Sequence, residues 1–206
     1  MSYHPIAVRR SRGLHYYQAW SPKLRRRIAL YSRSSLAVWL LLEASPDIDT
    51  FCERPGFILI NRQRRLADFF VRQANKEQFF VLENAPALVP FDDPGGLLDP
   101  LPIRTITQAW LDARQPLSSN WGRILPVVTS CARQLSAEVL DSILQTLNAP
   151  QRLMDIERRF HLQDPMLTRA AVFELLRGGY LTAETLNTTP LSGATLFMRS
   201  GHATPP

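Results

Sequence analysis

Apolar residues change their spacing part-way along this chain, and that change limits what it can fold into. Between Ile48 and Leu82 they come in short extended runs: Ile48 to Phe51, Gly56 to Asn61, Leu66 to Val71 and Gln78 to Leu82. The second run has β-branched and aromatic residues on both faces. From Ser136 onward the spacing is helical. Leu140, Ile143, Leu144 and Leu147 form one stripe; Leu153, Ile156 and Phe160 a second; Leu167, Ala171, Leu175 and Leu176 a third. Each stripe is the core face of a helix by default. A sheet-forming part followed by a helical part predicts two small domains, which 206 residues with 45% apolar content can support.

Finer signals fill in this outline. Ser32 to Ser35 offer capping hydroxyls for a largely buried helix over Leu36 to Glu43, which Pro46 ends. Arg62 to Arg65 read as an exposed turn, and a polar turn around Asn75 joins the next two strands as an antiparallel hairpin. Pro86 to Pro102, rich in Pro, Gly and Asp, read as a loop. Ile103 to Arg114 are expected to be helical and Arg123 to Thr129 to form a strand, completing a mixed α/β domain over residues 1–134. In the second domain, residues 135–199, Pro150 separates the first two helices. The Gln163-Asp164-Pro165 turn opens the third, with Pro in its first turn, and Gly178-Gly179 closes it. Tyr180-Leu181 and Thr195 to Met198 would be two strands flanking a polar tip at Asn187 to Pro190. This order resembles a winged helix. Residues 200–206 are expected to be a disordered tail.

The net charge of +6 is less informative than its distribution, because no Asp or Glu precedes Glu43. Arg9, Arg10, Arg12, Lys23, Arg25, Arg26, Arg27 and Arg33 are therefore unopposed in sequence, interleaved with Tyr3, His15, Tyr16, Tyr17 and Trp20. Guanidinium forks bind phosphate oxygens bidentately, and release of condensed counterions supplies much of the affinity for a duplex. A solvated basic arm is one alternative, and membrane-surface binding a weaker one, for want of an amphipathic helix with a continuous apolar face.

Other classes are disfavoured. The strongest apolar run, Leu36 to Leu42, is far shorter than the roughly 18 residues that mark a membrane span, so no membrane association by spanning is expected. Arg9, Arg10 and Arg12 are followed by polar and aromatic residues rather than an apolar stretch, unlike a secretory signal. A cytoplasmic, reduced setting is expected. Cys52 and Cys131 stand apart from each other and from any His at metal-ligand spacing, and read as buried structural residues.

Several short motifs occur in an order that carries more than any one of them. They are Arg10 to Gly13, Ser21-Pro22-Lys23 leading into Arg27, a Ser-rich helix start, a Leu-Leu-Glu helix end before Ser45-Pro46-Asp47-Ile48, and Phe51-Cys52-Glu53-Arg54-Pro55. Ala67-Asp68-Phe69 follows, then an apolar strand ending in Glu83, and finally Thr189-Pro190-Leu191-Ser192 before Thr195. Spread over most of the chain, this series resembles the TnsA-like endonuclease subunits of heteromeric transposases. The resemblance implies a restriction-endonuclease-like mixed sheet flanked by helices, followed by a winged-helix domain. It also implies DNA, a transposase subunit and an ATP-dependent transposition regulator as partners.

Phosphodiester hydrolysis on such a scaffold needs carboxylates that hold Mg²⁺, which orients water and stabilises the leaving oxygen, usually with a nearby lysine. The resemblance places Asp68 and Glu83 at the two acid positions, as metal ligands if the site is active. Ala67 stands where Pro is usual. Strand alternation sets Phe79, Val81, Glu83 and Ala85 on one face, so Ala85 occupies the lysine position. The chain has two lysines, Lys23 and Lys76, and arginine is a poor proton shuttle. Arg33, Ser34, Ser35 and Ala37 stand where the family has an upstream Glu; Glu43, two turns on, is the one acid left in that helix, a candidate residual catalytic acid beside Asp68 and Glu83 if it moves into the site, and otherwise an exposed helix-end acid, the reading preferred. Asp68 could instead bind a turn or pair with Arg64 or Arg65, and Glu83 could be a solvated strand end. In the second domain Thr168, Arg169 and Met166 are expected to face DNA or a partner, with Arg152, Arg158 and Arg159 gripping phosphates.

Three readings follow: a TnsA-like component that binds DNA and its transposase with weak or no cleavage, an active Mg²⁺-dependent endonuclease cutting transposon ends, and a winged-helix transcription regulator. The first is favoured, because two of the usual four polar groups of the cutting site are missing.

Overall fold

A computed structural model describes residues 3–9, 13–92, 96–160 and 164–201. The chain forms two compact units, one of Met1–Glu43 with Asp47–Ala113, the other of Ala44–Pro46 with Arg114–Pro206. No helix among the described residues is long and apolar enough to cross a membrane.

In chain order the first unit has β1 (Val8–Arg9), β2 (Tyr17–Ser21), β3 (Arg26–Leu30), α1 (Arg33–Ala44), β4 (Ile48–Glu53), β5 (Phe57–Ile60), β6 (Gln63–Leu66), β7 (Phe69–Gln73), β8 (Lys76–Leu82), β9 (Val89–Pro90), β10 (Ile103–Ile106) and α2 (Gln108–Asp112). Its centre is a four-stranded mixed sheet flanked by helices, in the order β10-β8-β7-β4. β7 runs antiparallel to both β4 and β8, whereas β10 lies parallel to β8. Phe79, Phe80, Val81 and Leu82 are all at most 5% exposed. Consecutive residues of a strand point to opposite faces, so both faces of the second half of β8 are covered, which is why Phe79 to Leu82 is an unbroken apolar run.

Local chemistry explains most element ends. The Ser32 hydroxyl accepts the Ser35 N–H at 2.9 Å and caps α1. Ala74 and Asn75, both with φ above zero, make the two-residue turn between β7 and β8. Asn61 and Arg62 do the same between β5 and β6. The turn is therefore Asn61-Arg62, not Arg62 to Arg65; Gln63–Leu66 is a strand whose polar residues gave no apolar alternation to reveal it. Ile103 to Arg114 is likewise not one helix. Ile103–Ile106 pairs with β8, and α2 begins only after Thr107, whose hydroxyl accepts the Trp110 N–H at 3.2 Å.

The second unit contains α3 (Gln115–Cys131), α4 (Ala137–Thr146), β11 (Gln151–Arg152), α5 (Leu153–Arg159), α6 (Pro165–Arg177), β12 (Leu181–Thr182), a 3-10 turn (Glu184–Asn187) and β13 (Leu196–Arg199). Its small sheet is antiparallel, ordered β11-β13-β12. The strand expected over Arg123 to Thr129 lies inside α3, and the first unit ends at Ala113 rather than at 134. Trp121, Ile124, Leu125, Val128 and Cys131 share one buried helical face. Pro126 and the β-branched residues after it imitate a strand signal, but Pro126 sits on the exposed side, where its missing N–H is tolerated.

α3 also organises the loop before β13. Buried Asn120 donates to the carbonyls of Leu186 and Thr189 at 2.9 and 2.8 Å and accepts the Leu191 N–H at 2.8 Å. Arg123 adds a bond to the Leu191 carbonyl at 2.8 Å. Gly179 (φ +79°) closes α6, its N–H on the Leu176 carbonyl at 3.0 Å and that of Tyr180 on Leu175 at 2.9 Å. Residues 202–206 of the expected tail, and Gln163 of the expected turn, lie outside the described residues. Cys52 and Cys131 are both buried, as expected; burial pushes the Cys52 thiol up to about 12.

Candidate functional site

Asp68 immediately precedes β7 and Glu83 immediately follows β8. These strands pair antiparallel with Phe69 opposite Phe80, so both acids stand at the same end of the sheet. They line one cleft of about 360 Å³ together with Arg54, Arg64, Arg65 and Ala85. The two acids singled out from sequence are thus brought together, with Ala85 beside them.

The chemistry of the cleft follows from how each group is held. Asp68 Oδ2 accepts the Leu82 N–H at 2.7 Å and lies 3.9 Å from the Arg65 guanidinium. Its carboxyl is nevertheless pushed up to about 6, because burial outweighs the Leu82 bond and the cations of Arg65 and Arg54. Arg65 itself donates to the Leu82 carbonyl. The Arg64 guanidinium lies over the Phe57 ring, 4.0 Å from its centre. Buried Arg54 donates to the carbonyls of Ile6, at 3.1 Å, and Ala29. Glu83 is exposed and accepts the Gln108 N–H at the start of α2, at 3.2 Å.

Three guanidiniums therefore share the cleft with two carboxylates, one of which has an oxygen occupied by a backbone donor. Two carboxylates can hold Mg²⁺ when waters complete its octahedron, but three guanidiniums lining the same cleft oppose a dication, so this set of groups does not fit one. The net positive lining suits a phosphate oxygen instead.

Glu43 is absent from this cleft. It is fully buried, not the exposed helix-end acid expected from sequence. Its carboxylate accepts the Ser21 hydroxyl, the Trp39 indole N–H at 3.2 Å and the Lys23 backbone N–H at 3.4 Å. Burial raises its pKa, and those bonds pull the other way. Glu43 thus fastens the end of β2 to α1, a role readable only after folding.

The arm's basic residues separate into two kinds. Arg26 binds Glu53 with both guanidinium nitrogens, and the Lys23 ammonium donates to the Ile48 carbonyl at 3.0 Å. Both are structural. Arg25, Arg27 and Arg33 are exposed, while Arg9 is exposed beside Phe91, whose carbonyl it reaches at 3.4 Å. Arg10 and Arg12 lie outside the described residues.

In the second unit Thr168 is 0% exposed, so it cannot contact DNA. The helical stripe places it on the core side of α6, between Leu167 and Ala171, which sequence spacing permits but does not announce. Arg169 is paired with Glu157 at 2.7 Å. Met166, Arg152, Arg158 and Arg159 are exposed, Arg158 lying 3.7 Å from Asp155. Of the two arginines offered from sequence as partners for Asp68, Arg65 lies 3.9 Å from it; the third guanidinium of the cleft, that of Arg54, was not anticipated. Compared with known proteins, the sequence matches no family model and no curated protein.

Proposed function

We propose that this chain is a TnsA-like, DNA-binding component of a transposition machinery that engages its transposase and an ATP-dependent regulator without cutting DNA. The observation that carries this reading is the shared cleft: Asp68 and Glu83 stand together as a nuclease site would require, yet Ala85 and three arginines replace its lysine and metal-binding character. The central mixed sheet supports a restriction-endonuclease-like ancestry. The helix-strand-helix-helix-strand-strand order from α4 to β13 supports a winged helix, with Arg152, Arg158 and Arg159 available for phosphates or an acidic partner surface.

Incubation of the full chain with supercoiled plasmid in Mg²⁺ or Mn²⁺ tests the proposal. Binding without nicking is expected, unaltered by Asp68→Ala. Nicking by the native chain that disappears in Asp68→Ala would overturn it in favour of an active endonuclease. A footprint confined to one sequence in the absence of any transposase would favour a transcription regulator.

A further inference from the structure

The hairpin of β2 and β3 has one face turned to solvent, and its composition is unusual. Strand alternation puts Gln18 and Trp20 on that face, and the pairing of the strands sets Arg27 directly opposite Trp20. Trp20 is 50% exposed, whereas tryptophan in a folded chain is ordinarily among the most buried residues. Arg27 and Arg25, the latter in the turn with φ 51°, are exposed and make no hydrogen bond or ion pair through their guanidiniums among the described residues. Their neighbour Arg26 points the other way, onto Glu53. The three consecutive arginines therefore alternate between solvent and structure, leaving two exposed cations on the hairpin, that of Arg27 on the residue directly opposite Trp20 and that of Arg25 in the adjoining turn.

We infer that this face binds unpaired nucleotides of a DNA strand, with Trp20 stacking on a base while Arg25 and Arg27 hold the flanking phosphates. Three physical facts select this ligand. No acidic residue precedes Glu43, so the polyanion meets no repulsion from the hairpin's own sequence. An indole offers its flat face to any base, but bases inside a duplex are already stacked on each other and cannot use it, so the preference is for single-stranded ends or overhangs. A guanidinium beside the ring adds both phosphate contact and cation–π attraction. The inference rests on the DNA-binding reading above and specifies the form of DNA that the hairpin prefers.

Fluorescence anisotropy with a labelled 20-nucleotide single strand, the same sequence as a blunt duplex, and a duplex with a single-stranded overhang tests it in the full chain. The native protein is expected to bind the single strand and the overhang more tightly than the blunt duplex. Trp20→Ala should weaken binding to the first two about tenfold with little effect on the duplex, and Trp20→Phe should restore most of the loss. Arg25→Ala with Arg27→Ala should weaken all three and flatten the salt dependence. Because Trp20 is on the surface, an unchanged melting temperature checks that the variants remain folded. Equal loss on all three DNAs, or no loss, in Trp20→Ala overturns the stacking role while leaving DNA binding intact. Absence of binding to any of the three by the native chain overturns both it and the reading on which it rests.

Discussion

Arg26 holds both carboxylate oxygens of Glu53, at 2.7 and 2.6 Å, and so joins β3 to the end of β4. Glu53 is 2% exposed, with the Arg54 guanidinium 4.0 Å from one of the same oxygens. Removing one partner of such a pair leaves a buried charge with incomplete compensation. Arg26→Ala is therefore expected to destabilise the protein by about 2–3 kcal/mol, whereas Arg25→Ala and Arg27→Ala stay within about 0.5 kcal/mol of the native chain, as surface changes do. Urea denaturation distinguishes the three. Equal effects would mean that the alternation along the hairpin is misassigned.

Asp68 makes stability depend on pH in a direction opposite to that of most carboxylates. Its folded pKa, raised to about 6, lies above the unfolded value near 3.9, so the native state binds the proton more tightly. Stability is then expected to fall as pH rises from about 4 to about 6 and to carry the full penalty above that. Asp68→Asn keeps an oxygen to accept the Leu82 N–H. It should stabilise the protein by about 2–3 kcal/mol at pH 7.5, with the advantage vanishing below about pH 4. A melting temperature in the variant that is unchanged at pH 7.5 would show that the carboxylate is adequately solvated or paired.

Thr168 places its hydroxyl at a fully buried position where it has no hydrogen-bond partner among the described residues. Valine has nearly the same shape without the stranded oxygen. Thr168→Val is expected to stabilise the second unit by about 1 kcal/mol, read as a higher thermal midpoint. DNA affinity should be untouched, since the residue is internal. A drop in stability would reveal a partner for the hydroxyl.

Gly179 combines a left-handed backbone with a close neighbour. A Cβ there would lie 2.8 Å from Pro46 Cβ. Gly179→Ala should cost about 2 kcal/mol, about half from the backbone conformation and the rest from displacing Pro46. Gly201→Ala, with nothing within 4 Å, is the control and should have no measurable effect.

Much of the organisation was legible because it rests on local rules. The helical stripes from Leu140 to Leu176, the capping serines at Ser32 and Ser35, the Ala74-Asn75 turn and the Gly179 stop all require only neighbouring residues. The failures share a cause. Gln63–Leu66 and Ile103–Ile106 become strands because an adjacent strand supplies hydrogen bonds, and Arg123 to Thr129 becomes helical because the buried face of α3 outweighs β-branched residues and Pro126.

The candidate site divides in the same way. Sequence by itself set the inventory: two acids flanking apolar strands, an alanine where a lysine would serve, and a basic segment with no acid to oppose it. Only the fold decided which charges face solvent. It buried Glu43 on Ser21 and Trp39, engaged Arg26 with Glu53, and gathered Arg54, Arg64 and Arg65 around Asp68. A charge's role depends on the dielectric and partners around it, and those come from residues distant in the chain.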